Sequence, residues 1–157
     1  MIVAFALAPV HPVLIAVVDT GANMRVPAIM ATYDVRTGGR DVRDRNGHGT
    51  KVASLIAGAS GGARLMIIRA GSSSGAFSNA GEATAIRYAV DHGARIVNLS
   101  LGGPQTSSGE RAAIRYAIAR GVLVVAAAGD DYASRPEYPA ALLGPDGLAV
   151  AAARLLY

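Results

Sequence analysis

Cysteine and tryptophan are absent from the sequence, and Lys51 is the only lysine among its 15 basic residues. Without cysteine, the chain can form neither a disulfide framework nor a cysteine-based zinc site. Charged residues make up only 17% of the 157 positions and hydrophobic residues make up 52%, a balance that excludes an intrinsically disordered chain. The length fits a single domain with a sizeable buried core.

Positive charge is in excess, with a net charge of +4, but it is scattered along the sequence. The arginines extend from Arg25 to Arg154 without forming a one-sided stripe, and aromatic residues are only 5%, so we expect no binding of nucleic acid. The apolar opening, Met1 to Val18, is interrupted by prolines and lacks a basic start, so it predicts a buried strand and no membrane interaction. Localisation stays open, and no cofactor is predicted.

Short apolar runs alternate with stretches of helical periodicity along the chain. The apolar runs predict buried strands at Val13–Val18, Leu65–Ile68, Ile96–Leu101, Val122–Ala127 and Leu148–Ala153. The periodic stretches predict helices at His48–Ile56, Ala80–His92 and Glu110–Arg120, ended by Gly58, Gly93 and Gly121. The stretches Ala22–Gly47 and Asp130–Pro145 are predicted to be loops. This alternation predicts an α/β fold, a doubly wound and mostly parallel sheet with flanking helices.

Two polar residues occupy positions where such a sheet gathers its functional groups, the carboxyl ends of the strands and the helix starts. Asp19 directly follows the first apolar run, and His48 opens the first helix between two glycines. A carboxylate that accepts the Nδ1–H of a histidine fixes its tautomer and stabilises the imidazolium during proton transfer. The pattern suits an Asp–His catalytic pair but does not single it out. The alternatives are a turn or capping aspartate and a histidine without a partner.

Five short fragments follow one another in a definite order: VVDTG at 17–21, GHGTKVA at 47–53, ARIVNLSLGG at 94–103, GVLVVAAAG at 121–129 and YPA at 138–140. They resemble the motifs of the subtilisin-like serine proteases, the subtilase or peptidase S8 family, although Lys51 stands where that family usually has a second histidine. The resemblance implies a subtilisin-like fold that hydrolyses peptide bonds with an Asp/His/Ser triad.

The same resemblance implies a role for each matching residue. Asp19 would orient the histidine and His48 would be the general base. Ser100, Leu101 and Gly102 would supply backbone hydrogen bonds to an extended polypeptide substrate, a form of strand addition. The shape of the specificity pocket is left open.

The sequence departs from the family pattern in ways that bear on activity. The family's nucleophile lies in a Gly-Thr-Ser-Met-Ala-type motif, and the only Gly-Thr here, Gly49-Thr50, continues with Lys51. We therefore expect residues 1–157 to be a partial, C-terminally incomplete catalytic domain that is almost inactive alone. Asp130 stands at the oxyanion position in place of asparagine, and an ionised carboxylate cannot donate to an oxyanion. Alternatively, Asp130 is an ordinary loop acid.

No metal site is predicted. The segment 58–63, GASGGA, lies where many subtilases insert a calcium-binding loop, and it offers no side-chain oxygen suited to a hard cation. Asp34, Asp41 and Asp44 are interleaved with arginines, which favours a solvated loop over a metal site.

Other functions and partners stay open beside the protease. A pseudoprotease or peptide-binding module would keep the substrate cleft without cutting, and a nucleotide-binding domain would need more glycines after Asp19 than the sequence provides. An incomplete domain would leave an apolar sheet face uncovered, so a complementing C-terminal fragment or self-association is expected.

Overall fold

A computed structural model describes residues 12–129, 136–143 and 148–150, and these form one parallel sheet with helices on both faces. The strands are β1 (Leu14–Asp19), β2 (Ile29–Asp34), β3 (Arg64–Arg69), β4 (Ile96–Leu99), β5 (Leu123–Ala127) and β6 (Leu148–Val150). The helices are α1 (His48–Ala59), α2 (Asn79–Asp91) and α3 (Ser108–Ala119), followed by a short 3₁₀ helix (Ala140–Leu142). The strand order is β2-β3-β1-β4-β5-β6, and all neighbouring strands are parallel. The predicted α/β architecture is confirmed.

The two faces of the sheet carry separate cores. On one face, Ile86 of α2 and Ile114 of α3 pack with Val18, Ile68 and Leu99 of the central strands. The opposite face is covered by a single helix of the described segments, α1, whose inward residues meet the other side chains of β1 and β3. Because strands buried on both faces need apolar side chains at every position, β1 and β3 are nearly continuous apolar runs.

The α1 face is less completely covered beside β4 and β5. Leu123 is 40% exposed, and Ile96, Val125 and Ala127 are only half-buried, whereas the alternate residues of the same strands are buried against α2 and α3. Apolar side chains therefore border open space on this side of the sheet. Among the helices of the described ranges, none is long and apolar enough to cross a membrane.

The prediction of a loop throughout Ala22–Gly47 is wrong, because β2 lies within it. Among the described strands, β2 pairs only with β3, and its register shifts between Ile29 and Ala31. As an edge strand it is mostly half-buried, and Met30 is 62% exposed. Its residues therefore lack the continuous apolar run that identified the central strands.

Most other predicted boundaries agree with the structure to within about three residues, and three differences matter. Helix α1 runs through Gly58 and ends at Ala59, so Gly58 is not its stop. Gly93 and Gly121 do follow α2 and α3, with positive φ of 84° and 68°. Strand β4 ends at Leu99, two residues earlier than predicted. The predicted loop Asp130–Pro145 contains the 3₁₀ helix.

Candidate active site

Asp19 and His48 form a hydrogen-bonded pair at the centre of the sheet's carboxyl edge. His48 Nδ1 lies 2.8 Å from Asp19 Oδ1 and 3.0 Å from Oδ2. The carboxylate is fully buried, whereas the imidazole is 50% exposed. Burial raises the pKa of Asp19, and the hydrogen bonds from His48 and from the backbone of Thr20 oppose that rise. The pairing that the sequence predicted is present, with the second imidazole nitrogen directed away from the carboxylate.

Helix α1 can approach Asp19 this closely only because residue 49 is glycine. A Cβ at Gly49 would collide with the carbonyl oxygen of Gly21 and would lie 3.1 Å from Asp19 Oδ1. The amide of Gly49 instead donates to Thr20 Oγ1 at 3.0 Å, which joins the helix start to the turn after β1. The GHG and DTG motifs are thus two halves of one contact.

Asp44 holds the segment before α1 in place, a role that sequence reasoning missed. Its Oδ1 accepts hydrogen bonds from the amides of Asn46 and Gly47 and from Thr20 Oγ1, and its Oδ2 accepts from the amide and hydroxyl of Thr50. Gly47, at the helix start, has no side chain that could cap α1, so Asp44 supplies the cap from three residues earlier. Partial burial works to raise the pKa of Asp44, but the hydrogen bonds outweigh it and hold that pKa well below its usual range.

The prediction that Asp34, Asp41 and Asp44 form a solvated loop is right only for Asp41. Asp41 is exposed and pairs with Arg43 at 2.7 Å. Asp34 is buried at the end of β2, where it accepts a hydrogen bond from Arg69 Nη1 at 3.3 Å. The arginines beside these acids in sequence suggested solvation, whereas the fold moves two of the acids into tertiary contacts.

Ser100, Leu101 and Gly102 continue beyond β4 along the rim of the site, and we call them the cleft edge. Because β4 ends at Leu99, their main-chain N–H and C=O groups have no backbone partner within the described ranges. Asn98 Nδ2 donates to Ser100 Oγ at 2.9 Å, so the serine side chain is held beside the strand end. Gly103 then forms a two-way bridge to Tyr138, with N···O distances of 2.9 and 3.0 Å.

Two cavities flank the cleft edge, and His48 borders both. The larger has a volume of about 460 Å³ and is enclosed by the cleft edge, the end of β5 and Glu137. The smaller, about 260 Å³, lies between the cleft edge and the segment that carries Gly75 and Phe77. Glu137 and Phe77 were not recognised from the sequence, because tertiary contacts alone bring them here.

Two sequence-based predictions are not decided by this geometry. Asp130, the altered oxyanion position, lies outside the described residues. Where the structure can be inspected, no group of three or more His, Cys, Asp or Glu side chains could hold a metal ion. The absence of a calcium site at segment 58–63 stays a prediction.

The family model for subtilases, described as the Subtilase family, matches residues 11–154. The chain belongs to the subtilase family. The resemblance seen in its motifs is thereby confirmed, and the match extends over the fragments from VVDTG to YPA.

Individual subtilases are also similar to this chain in sequence and in structure. Thermitase from Thermoactinomyces vulgaris is 35% identical over 140 residues, which are 80% of this chain and 50% of that protein. Halolysin from Haloferax mediterranei is 46% identical over 149 residues, 82% of this chain and 28% of that protein. The crystal structure of a cold adapted subtilisin-like serine proteinase has a TM-score of 0.78 and 30% identity to it, with 87% of this chain and 53% of that one covered. The subtilisin-like fold is confirmed, and the chain spans about half or less of each relative's length.

Proposed function

We propose that residues 1–157 are a partial catalytic domain of a serine endopeptidase and supply its aspartate, its general base and its peptide-binding edge. The observation that carries this proposal is the bond between His48 Nδ1 and the buried Asp19, at the junction of two cavities. The carboxylate of this pair is buried, while the imidazole is half-exposed and borders both cavities. Such an arrangement suits proton transfer.

In this proposal Asp19 orients the imidazole of His48, and His48 transfers the proton as general base and then as general acid. The carboxylate accepts the Nδ1–H, so Nε2 is the nitrogen free to take a proton from a hydroxyl nucleophile and to return it to the leaving amine. Asp19 then stabilises the imidazolium without accepting the proton itself. The family's Gly-Thr-Ser-type motif does not occur in these 157 residues, so the proposal assigns the nucleophile to a separate or further segment.

The substrate is proposed to be an extended polypeptide that pairs with the cleft edge. Ser100, Leu101 and Gly102 offer main-chain groups without a backbone partner among the described residues, which is what strand addition requires. Successive side chains of an extended peptide point to opposite sides. The two cavities lie on opposite sides of the cleft edge, so neighbouring substrate side chains would enter one and then the other.

A peptide-binding pseudoprotease is the second candidate, and the observation that favours it is Asp130 at the family's oxyanion position. A carboxylate would repel the developing oxyanion, so catalysis would be weakened while peptide binding would survive.

The deciding experiment joins this chain to the C-terminal part of thermitase that it does not match and measures hydrolysis of a peptide ester. The endopeptidase proposal expects the fusion to be active and His48→Ala to abolish that activity, while Asp41→Asn, a charge change outside the site, leaves it intact. A folded fusion that binds peptide without hydrolysing it would support the pseudoprotease instead. A folded fusion without peptide binding would contradict both candidates.

A further inference from the structure

Glu137 places a carboxylate inside the larger cavity. A Cβ at Gly102 would collide with Glu137 Oε2, and a Cβ at Gly129 would lie 3.1 Å from its Cγ, so the side chain extends directly across the backbone of the cleft edge. Glu137 shares this cavity with His48, and it is the only carboxylate among the described residues that line it.

The backbone fixes the position of this carboxylate. The amide of Glu137 donates to the carbonyl of Ala128 at 3.0 Å, and its carbonyl accepts from the amide of Ala141 at 2.9 Å. The next residue, Tyr138, is bridged in both directions to Gly103. A residue anchored on both sides in this way presents its side chain to the cavity in a defined place.

Apart from Glu137, the described walls of the larger cavity combine apolar and polar groups. The end of β5 contributes Val125 and Ala127 and the cleft edge contributes Leu101, while the polar groups are His48, Asn98 and Ser100. Among the described residues, the ion pairs are Arg43–Asp41, Arg69–Asp34 and His48–Asp19, so no described cation neutralises Glu137. A cavity with an apolar wall and one carboxylate matches a side chain that has an apolar stem and a cationic head, as arginine and lysine do.

We infer that Glu137 makes the larger cavity a subsite for an arginine or lysine side chain of the substrate. The alkyl stem would lie along Val125 and Ala127, and the guanidinium or ammonium group would pair with the Glu137 carboxylate. This inference rests on the proposed function, because it assumes that an extended peptide occupies the cleft edge. It adds a substrate class, polypeptides with a basic residue next to the bond beside His48.

Binding to the 157-residue chain tests the inference without requiring catalysis. The probes are acetyl-Ala-Ala-Ala-Arg and the same peptide ending in citrulline, which has the shape of arginine without its charge. We expect the arginine peptide to bind on the order of tenfold more tightly, as one charge-assisted hydrogen bond would give. The preference should shrink as salt is raised. Affinities are measured by calorimetry, and amide shifts of Ser100 and Gly102 locate the peptide.

Variants separate local from general electrostatics. Glu137→Gln keeps the size of the side chain and should reduce the arginine preference to about twofold or less, whereas Asp41→Asn removes the same charge outside the cleft and should leave it unchanged. If Glu137→Gln keeps the wild-type preference, or if both peptides bind the wild type equally, the inference is wrong while the peptide-binding cleft stands. If neither peptide binds the folded chain, the proposed function fails as well.

Discussion

Glu82→Gln is expected to raise the free energy of unfolding at neutral pH, although it removes an acidic residue from the first turn of α2. Glu82 is 8% exposed and Glu110 is 1% exposed, and the two face each other from the first turns of α2 and α3. Asn79 Nδ2 donates a hydrogen bond to Glu110 Oε2 at 3.2 Å, so the two helix starts share one polar cluster. Burial, and then the hydrogen bond and charge of Glu110, raise the pKa of Glu82 to about 8.

The direction of the pH effect follows from this raised pKa. Between about pH 4.5 and pH 8 the folded state keeps a proton on Glu82 that the unfolded state has lost, so folding becomes less favourable as the pH rises. Each pH unit in that window costs about 1.4 kcal/mol, so the cost at pH 7 amounts to roughly 3 kcal/mol relative to pH 4.5. The side-chain amide of a glutamine at position 82 can donate the same hydrogen bond to Glu110, and it does so at any pH because it does not titrate.

Urea unfolding followed by circular dichroism between pH 4.5 and pH 8 measures this effect. The wild-type free energy of unfolding should fall with pH, and the Glu82→Gln curve should be flatter and lie above it at pH 7. Asp41→Asn is the control, because the hydrogen bond from Arg43 holds the pKa of Asp41 at about 2 in the folded state, and the ordinary aspartate pKa of about 3.9 in the unfolded state also lies below this window. A stability difference that stays constant across the pH range would refute the shared-proton explanation.

Three further perturbations test the assembly of the site. Asp44→Ala should lower the free energy of unfolding by roughly 2–4 kcal/mol, because it removes the acceptor of several hydrogen bonds. Since the folded-state pKa of Asp44 is lowered, this stabilisation is present above about pH 4 and is lost as the pH falls further, which acid titration of wild type and variant would check. Gly49→Ala should push α1 away from the turn after β1 and cost about 1–3 kcal/mol, as measured by thermal unfolding; an unchanged midpoint would contradict the steric argument. Asp19→Asn should keep the fold but alter the tautomer balance of His48, visible in its imidazole nitrogen shifts. Unchanged shifts would mean that the pair does not orient the ring.

The sequence alone predicts those parts of the molecule whose signal is local. The central strands are apolar at nearly every position because both faces are buried, and Asp19 and His48 belong to motifs with recognisable neighbours. Gly93 and Gly121 mark helix ends because a positive φ suits glycine.

Features that depend on contacts between residues far apart in the chain could not be predicted from the sequence. Strand β2 is stabilised by pairing with β3 more than by its own apolar content. Asp44 and Glu137 look like ordinary loop acids until the fold brings Thr20 to the first and Gly102 to the second. Glu82 and Glu110 each resemble a solvated acid at a helix start, and only the packing of α2 against α3 buries them together.

The strand order has a consequence for how the molecule folds. Strands β1 and β2 are consecutive in the chain, yet β3 lies between them in the sheet. They therefore cannot form a local hairpin. During synthesis the two strands cannot pair with β3 until Arg64–Arg69 has left the ribosome. Closing this arrangement requires contacts between segments far apart in sequence, which slows folding and exposes early intermediates to aggregation. The arrival of β3 is thus the step that commits the N-terminal half of the sheet to its native topology.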